Sequence, residues 1–372
     1  MSPDKPDASE TQETLEKLED EAHYEDDNAA VPPSDIVAYN ELRSCADLFR
    51  MYDQKILKIN PDFQREVVWK GPDQTRFIDS LIKALPIPSM CFAMDHKAQR
   101  WLVIDGLQRI STIVRFLEGG DWTLSDLEDI EPEIAGKSVA AIKQKNSPLN
   151  QYYTRVENLS VPVTVLRCDF SKKSHMKYLF TIFHRLNTGG MKLNNQEIRN
   201  CIYGGPFNEL LRACDKYPAW RSLNRMKDGM LYRFTKQELI LRFFAFQERT
   251  EAYEGHLAGF LNNYMHDNQN DDPKTIEAKK RLFERTVDCA FSKVFSCAEP
   301  PKLSLTVMEA LLVGIGRNIE ELESETSATL QARFKEVQLH PDFSEAALKE
   351  GLSKKVRVIA RLQIASKIFS GQ

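Results

Sequence analysis

The sequence predicts an α+β protein: an N-terminal part built around a small mixed sheet, followed by an all-helical C-terminal domain. Three observations carry this. Apolar, β-branched stretches at Met90–Met94, Trp101–Ile104 and Ser160–Arg167 read as strands. They alternate with helical apolar spacing at Gly71–Leu85 and Ile110–Leu117. Beyond about residue 200 the apolar spacing is almost wholly helical.

Composition bounds the function. The 372 residues are 42% hydrophobic and 28% charged, ordinary for a globular chain with ample core. No apolar run approaches the roughly 18 residues of a membrane span, so no membrane partner is expected. Seven scattered cysteines, with no CxxC pair, argue for the cytoplasm and against both a disulfide framework and a structural zinc site, and no metal-ligand residues are assigned. Residues 1–30 carry eleven acids and two lysines, a charge of −9; against −4 for the whole chain, the remainder is about +5. A mildly basic body behind an acidic leader suits a nucleic-acid binder, but a leader that is merely solvated is the commoner reason for such a charge run.

In chain order, residues 1–33 read as a disordered acidic leader, with a fleeting helix at Thr14–Ala22. Residues 34–200 form the first domain and 201–372 the helical one. Glu41–Tyr52 reads as a short helix, Lys55–Ile59 as a strand, and Gly71–Leu85 as a helix stopped by Pro86-Ile87-Pro88. Residues 118–160 read as a polar, loop-rich insertion. Asn194 and Glu197 form a capping box, as do Thr235 and Glu238. Further helices are expected at Pro206–Tyr217, Thr235–Arg249, Glu254–Asp267, Lys274–Val294, Ser304–Ser324, Ala328–Val337 and Ser344–Phe369.

The chemistry gathers at Trp101–Leu117, WLVIDGLQRISTIVRFL. A strand turning through Asp105-Gly106 into a helix sets free backbone N–H groups beside the strand end, a geometry that suits a phosphate. Gln108 and Arg109 fall in the first turn, with Ser111 and Thr112 behind. Asp105 serves equally well as a helix cap. His256 and His266, ten residues apart, would lie roughly 15 Å apart on one helix, too far to share a ligand.

A set of short motifs extends this reading: Phe63-Gln64-Arg65…Trp69, Phe77-Ile78-Asp79-Ser80-Leu81, Pro86-Ile87-Pro88, Asp105-Gly106-Leu107-Gln108-Arg109 and Phe183-His184-Arg185-Leu186-Asn187-Thr188-Gly189-Gly190. With Asn224-Arg225-Met226 and Gln237–Phe243, their order resembles the N-terminal domain family of GmrSD-type modification-dependent restriction systems, in the ParB/sulfiredoxin-like superfamily. The resemblance implies a ParB/sulfiredoxin-like first domain and a nucleotide pocket at the Asp-Gly turn. The family's motif there is Asp-Gly-Gln-Gln-Arg, linked to NTP binding and hydrolysis in antiviral DNA restriction. Leu107 replaces the first Gln, and its apolar side chain cannot hydrogen-bond a nucleotide. After residue 250 the family's Asp-His…Asn…His nuclease pattern is missing, as in a stand-alone member.

Residue chemistry then assigns roles. Arg65, Arg109 and Arg185 can grip phosphate, with Gly106, Ser111, Thr112 and Asn187 around them. Asp105, Gln108 and Gln64 are the catalytic candidates, orienting a water or, for Asp105, holding an ion. Trp69 is the base-stacking candidate; a Trp beside a helix also serves as core. Three functions follow. The first is a phage-defence hydrolase acting on modified viral DNA, with an NTP and Mg2+ as expected cofactors and a separate effector nuclease as partner. The second is a DNA glycosylase or phosphodiesterase that takes a flipped nucleotide into the same pocket without NTP. The third is a non-enzymatic ParB-like DNA-binding regulator.

Overall fold

The computed structural model describes residues 32–59, 69–186, 193–226, 234–344, 347 and 354–372. The chain divides into two compact units, residues 31–193 and residues 194–372. The expected acidic leader and its helix lie outside the described residues, apart from Pro32 and Pro33.

The first unit is a five-stranded mixed sheet covered by helices. Its strands are β1 (Val37–Ser44), β2 (Leu57–Lys58), β3 (Met90–Asp95), β4 (Arg100–Asp105) and β5 (Ser160–Cys168), in the order β1–β5–β3–β4–β2. β3 and β4 form the expected antiparallel hairpin, and β5 lies parallel to β3. Alternation in β5 turns Val161, Val163 and Val165 into one core. Over that core lie α1 (Cys45–Asp53), α2 (Gly71–Ile82) and α3 (Leu107–Glu118), the last burying Ile110, Ile113, Val114, Phe116 and Leu117.

One expectation needs correction here. Glu41–Ser44 is strand, not helix: it pairs with Val163–Ser160 of β5, and the helix starts only at Cys45. The switch is set by Ser44, whose hydroxyl accepts the Asp47 N–H at 3.1 Å. Residues 118–160 are loop-rich, as expected, and they pack into the core. Trp122, Leu124, Ile130, Ile134, Val139, Ile142, Tyr152, Tyr153 and Val156 are buried in the same core, partly on α4 (Val139–Lys143) and α5 (Asn150–Asn158). Their spacing is irregular because the segment follows the contour of α2 and α3 and not a helical face. Buried Asp79 of α2 fastens it, accepting the Glu131 N–H at 2.8 Å. Helix α6 (Lys173–Leu186) completes the unit. His175 in its first turns bonds Asp35 at 2.8 Å, which anchors the start of β1; this bond and that from Lys172 hold the Asp35 carboxyl down at about 2.

The second unit is helical, and the whole chain is α+β as the sequence predicts. Its helices are α7 (Asn195–Ile202), α8 (Pro206–Asp215), α9 (Pro218–Leu223), α10 (Thr235–Arg249), α11 (Leu257–Asn268) and α12 (Pro273–Cys289). They continue with α13 (Leu305–Arg317), α14 (Ile319–Leu322), α15 (Ser327–Leu339) and α16 (Lys355–Ser370). The Asn194/Glu197 capping box forms. At the start of α10 Phe234, left-handed at φ 61°, holds the cap position; the Thr235 side chain of the second expected box lies outside what is described. The Glu238 carboxylate accepts from Arg199 and Arg242, both at 2.8 Å. The helix expected over Ser304–Ser324 breaks at Asn318, whose side chain donates to the Gly314 carbonyl and to Ser366 of α16.

Arg199 is fully buried and also bonds Asn262 of α11 at 2.9 Å, so one guanidinium joins α7, α10 and α11. Truncating one partner of such a pair leaves a buried charge uncompensated. Arg199→Ala is expected to cost about 3–5 kcal/mol in chemical denaturation. Arg199→Met, which refills the space and leaves Glu238 paired with Arg242, is expected to cost less.

Candidate functional site

The site forms where β4 ends. A register shift between Cys91 and Phe92 leaves Ile104 without a partner, so Val103 pairs with Phe92 and Asp105 with Cys91. Simple alternation would send Asp105 into the core with Trp101 and Val103. The bulge re-aims it to the sheet end, where its side chain is 36% exposed. Burial, with the nearby Asp105 carboxylate adding to it, pushes the Cys91 thiol up to about 12.

Gly106 alone joins strand to helix. It is the N-cap of α3, left-handed at φ 92°, and no side chain caps the helix. Asp105 is therefore not a cap. Its Oδ2 accepts from Nη2 of Arg109, one turn into the helix, at 2.8 Å. Nη1 of Arg109 donates to the Pro88 carbonyl. A mostly buried guanidinium is thus held at an uncapped helix N-terminus by one carboxylate and one carbonyl. Backbone N–H groups, the helix dipole and a fixed cation converge there, which is what binding a phosphate requires.

Gln108 sits beside them, half-buried, and its Oε1 accepts the Trp69 N–H at 3.4 Å. The other predicted residues separate clearly. Ser111 is half-buried one turn on. Thr112 is fully buried, and its hydroxyl donates to the Gln108 carbonyl at 2.7 Å, so it serves the helix and the core, not the mouth. Trp69 is half-buried, meets Phe77 edge-on at 5.3 Å and packs against the core. Leu107 packs on the same core, which accounts for an apolar residue in that place. Arg185 is exposed at the C-terminal end of α6. Gln64, Arg65 and Asn187 lie outside the described residues.

Two parts of the site escape sequence reasoning. Pro88, read as a helix stop, supplies a carbonyl to Arg109, and Met90 fills the space behind Gly106. No side-chain pattern announces a carbonyl acceptor. For Mg2+, Asp105 is the single carboxylate at the mouth in these contacts, and no cluster of three His, Cys, Asp or Glu occurs among the described residues. Asp105 could hold the ion only together with phosphate oxygens, as Mg2+ sites often do.

Residues 45–204 match the family described as the N-terminal domain of the GmrSD restriction endonuclease, and this part of the chain belongs to that family. No curated protein and no solved structure matches the chain. None of the described helices is long and apolar enough to cross a membrane.

A Cβ on Gly106 would stand 2.5 Å from Met90 Cγ, in a backbone conformation that L side chains rarely adopt. Gly106→Ala is expected to cost about 1–3 kcal/mol in denaturant titration. The cost should be smaller in a Met90→Ala background; equal costs in both would show that the side-chain clash is not what matters.

Proposed function

We propose that the Asp105–Arg109 mouth binds the phosphate of a nucleotide, and that the chain acts in phage defence on foreign, base-modified DNA with NTP binding or hydrolysis as its gate. The domain family, of restriction type, supports the setting. The observation that carries the chemistry is the Arg109 guanidinium held by Asp105 and Pro88 at the uncapped start of α3. In the free protein Asp105 neutralises Arg109. An arriving phosphate offers the guanidinium a bidentate partner and draws it from the carboxylate. Asp105 is then released to accept a proton from water attacking the γ-phosphorus, with Gln108 beside it, as the bond to the bridging oxygen breaks and the nucleoside diphosphate leaves. Mg2+, where bound, would neutralise charge developing on the phosphate oxygens.

A second reading keeps the mouth and changes the ligand: a flipped nucleotide whose phosphate sits on Arg109 while Asp105 activates water at the sugar or at phosphorus. Leu107, turned into the core, favours it, since the motif's first Gln is not there to meet an NTP.

Purified protein with unmodified and with cytosine-modified viral DNA, with and without NTP, tests both. Denaturing gels run before and after alkali separate the outcomes. The first reading expects NTP turnover raised by modified DNA, and its loss in Asp105→Asn and Arg109→Ala. Breaks seen only after alkali and without NTP would replace it by a glycosylase. Binding with neither turnover nor damage would leave a regulator.

A further inference from the structure

We propose that Asn40, held in place by Thr164 and Ser89, reads the base of a nucleoside triphosphate whose terminal phosphate sits on Arg109. The inference rests on the phosphate mouth proposed above and adds to it the place where the nucleoside lies.

The register of the sheet sets the groups in one row. Asn40 pairs with Thr164 of β5, Thr164 with Cys91 of β3, and Cys91 with Asp105 of β4. Three interstrand steps separate Asn40 from Asp105, about 14 Å. An extended nucleoside triphosphate reaches that far from its γ-phosphate to its base, and a phosphate alone does not. Two consecutive residues join the ends of the row. The Pro88 carbonyl accepts from Arg109, and the neighbouring Ser89 hydroxyl bonds the Thr164 hydroxyl at 3.0 Å. The Thr164 hydroxyl donates in turn to Asn40 Oδ1 at 2.8 Å. A hydroxyl carries one proton, so in the Ser89–Thr164 contact Ser89 is the donor.

This relay fixes the amide of an exposed residue. The Asn40 oxygen is turned to Thr164, and among the described residues its Nδ2 donors have no partner. The relay is not needed to hold the strand, because β1 pairs with β5 along all eight residues. What it leaves outward is an N–H donor beside an oxygen with a lone pair to spare, the pair by which an amide grips a base edge. Leu42, two residues on and therefore on the same face, is 72% exposed and stands opposite half-buried Pro162. It gives the flat face of a base an apolar surface beside the amide. Glu41 and Arg43, paired with each other and with Asp47, belong to the opposite face and take no part.

The test titrates the full chain with non-hydrolysable analogues of the four NTPs and with inorganic tripolyphosphate, which has the phosphates and no nucleoside. Arg109→Ala is expected to weaken both kinds of ligand. Asn40→Ala should weaken the best-bound analogue roughly tenfold, as loss of a base-edge contact requires, and leave tripolyphosphate unchanged. Asn40 is exposed, so the variant should melt as the parent does. Thr164→Val keeps the shape and removes the hydroxyl that orients the amide. It should weaken the analogue severalfold, and Thr164→Ser should restore it. If Arg109→Ala lowers the analogue's affinity and Asn40→Ala does not, the inference falls and the mouth stands. Equal losses of analogue and tripolyphosphate in Asn40→Ala would overturn it as well. A parent that binds no analogue, or binds one indifferently to Arg109→Ala, would overturn the mouth and the inference together.

Discussion

Everything at the candidate site depends on one tight connection, the single left-handed glycine between β4 and α3. Because Gly106 spans the whole turn, the last strand residue and the first helical turn are close enough for Asp105 to hold Arg109. Because Met90 packs against Gly106 where a side chain would stand, β3 is fixed against the same turn, and the carbonyl of Pro88, just before β3, comes within reach of Arg109. A longer or looser turn would lose both holds on the guanidinium. The bulge at Ile104 is the complementary device, since without it Asp105 would be directed toward the core.

The helix that carries Arg109 divides its labour by face. Ile110, Thr112, Ile113, Val114, Phe116 and Leu117 are buried, and even the Thr112 hydroxyl is spent on the helix backbone. That rigid inward face lets the first turn remain uncapped: the helix is stabilised by burial, so its N-terminal N–H groups need no side-chain partner to hold it together. The buried 118–160 segment contributes in the same way, with Trp122 under the Arg115 guanidinium and Tyr153 stacked on Phe116.

The α+β class, the β3–β4 hairpin, α3 and the Asp-Gly turn were legible because local chemistry and tertiary packing agree there. The start of β1 and the course of 118–160 were not. The residues of β1 alternate only weakly, and what makes Glu41–Ser44 strand is β5, more than a hundred residues away. The 118–160 segment buries its aromatics one by one on neighbours and has no periodicity to detect. In the second unit, the pairing of the Glu238 carboxylate with Arg199 and Arg242 depends on residues that only the fold brings together. At the site, the presence of Asp105 and Arg109 at one helix mouth could be read from the motif. The inward turn of Thr112, the packing of Trp69 and the bulge that aims Asp105 could not, because each depends on which face the sheet presents.

The most direct test of the account is calorimetric titration of the parent protein and of Arg109→Ala with a non-hydrolysable NTP analogue and with a short modified oligonucleotide, alongside thermal melts of both proteins. If the mouth is a phosphate site, at least one of these ligands binds the parent, Arg109→Ala weakens that binding by roughly tenfold or more, as loss of a charge-assisted bidentate contact requires, and the two proteins melt alike. Binding that survives unchanged in Arg109→Ala, or a parent protein that binds neither ligand, would contradict it.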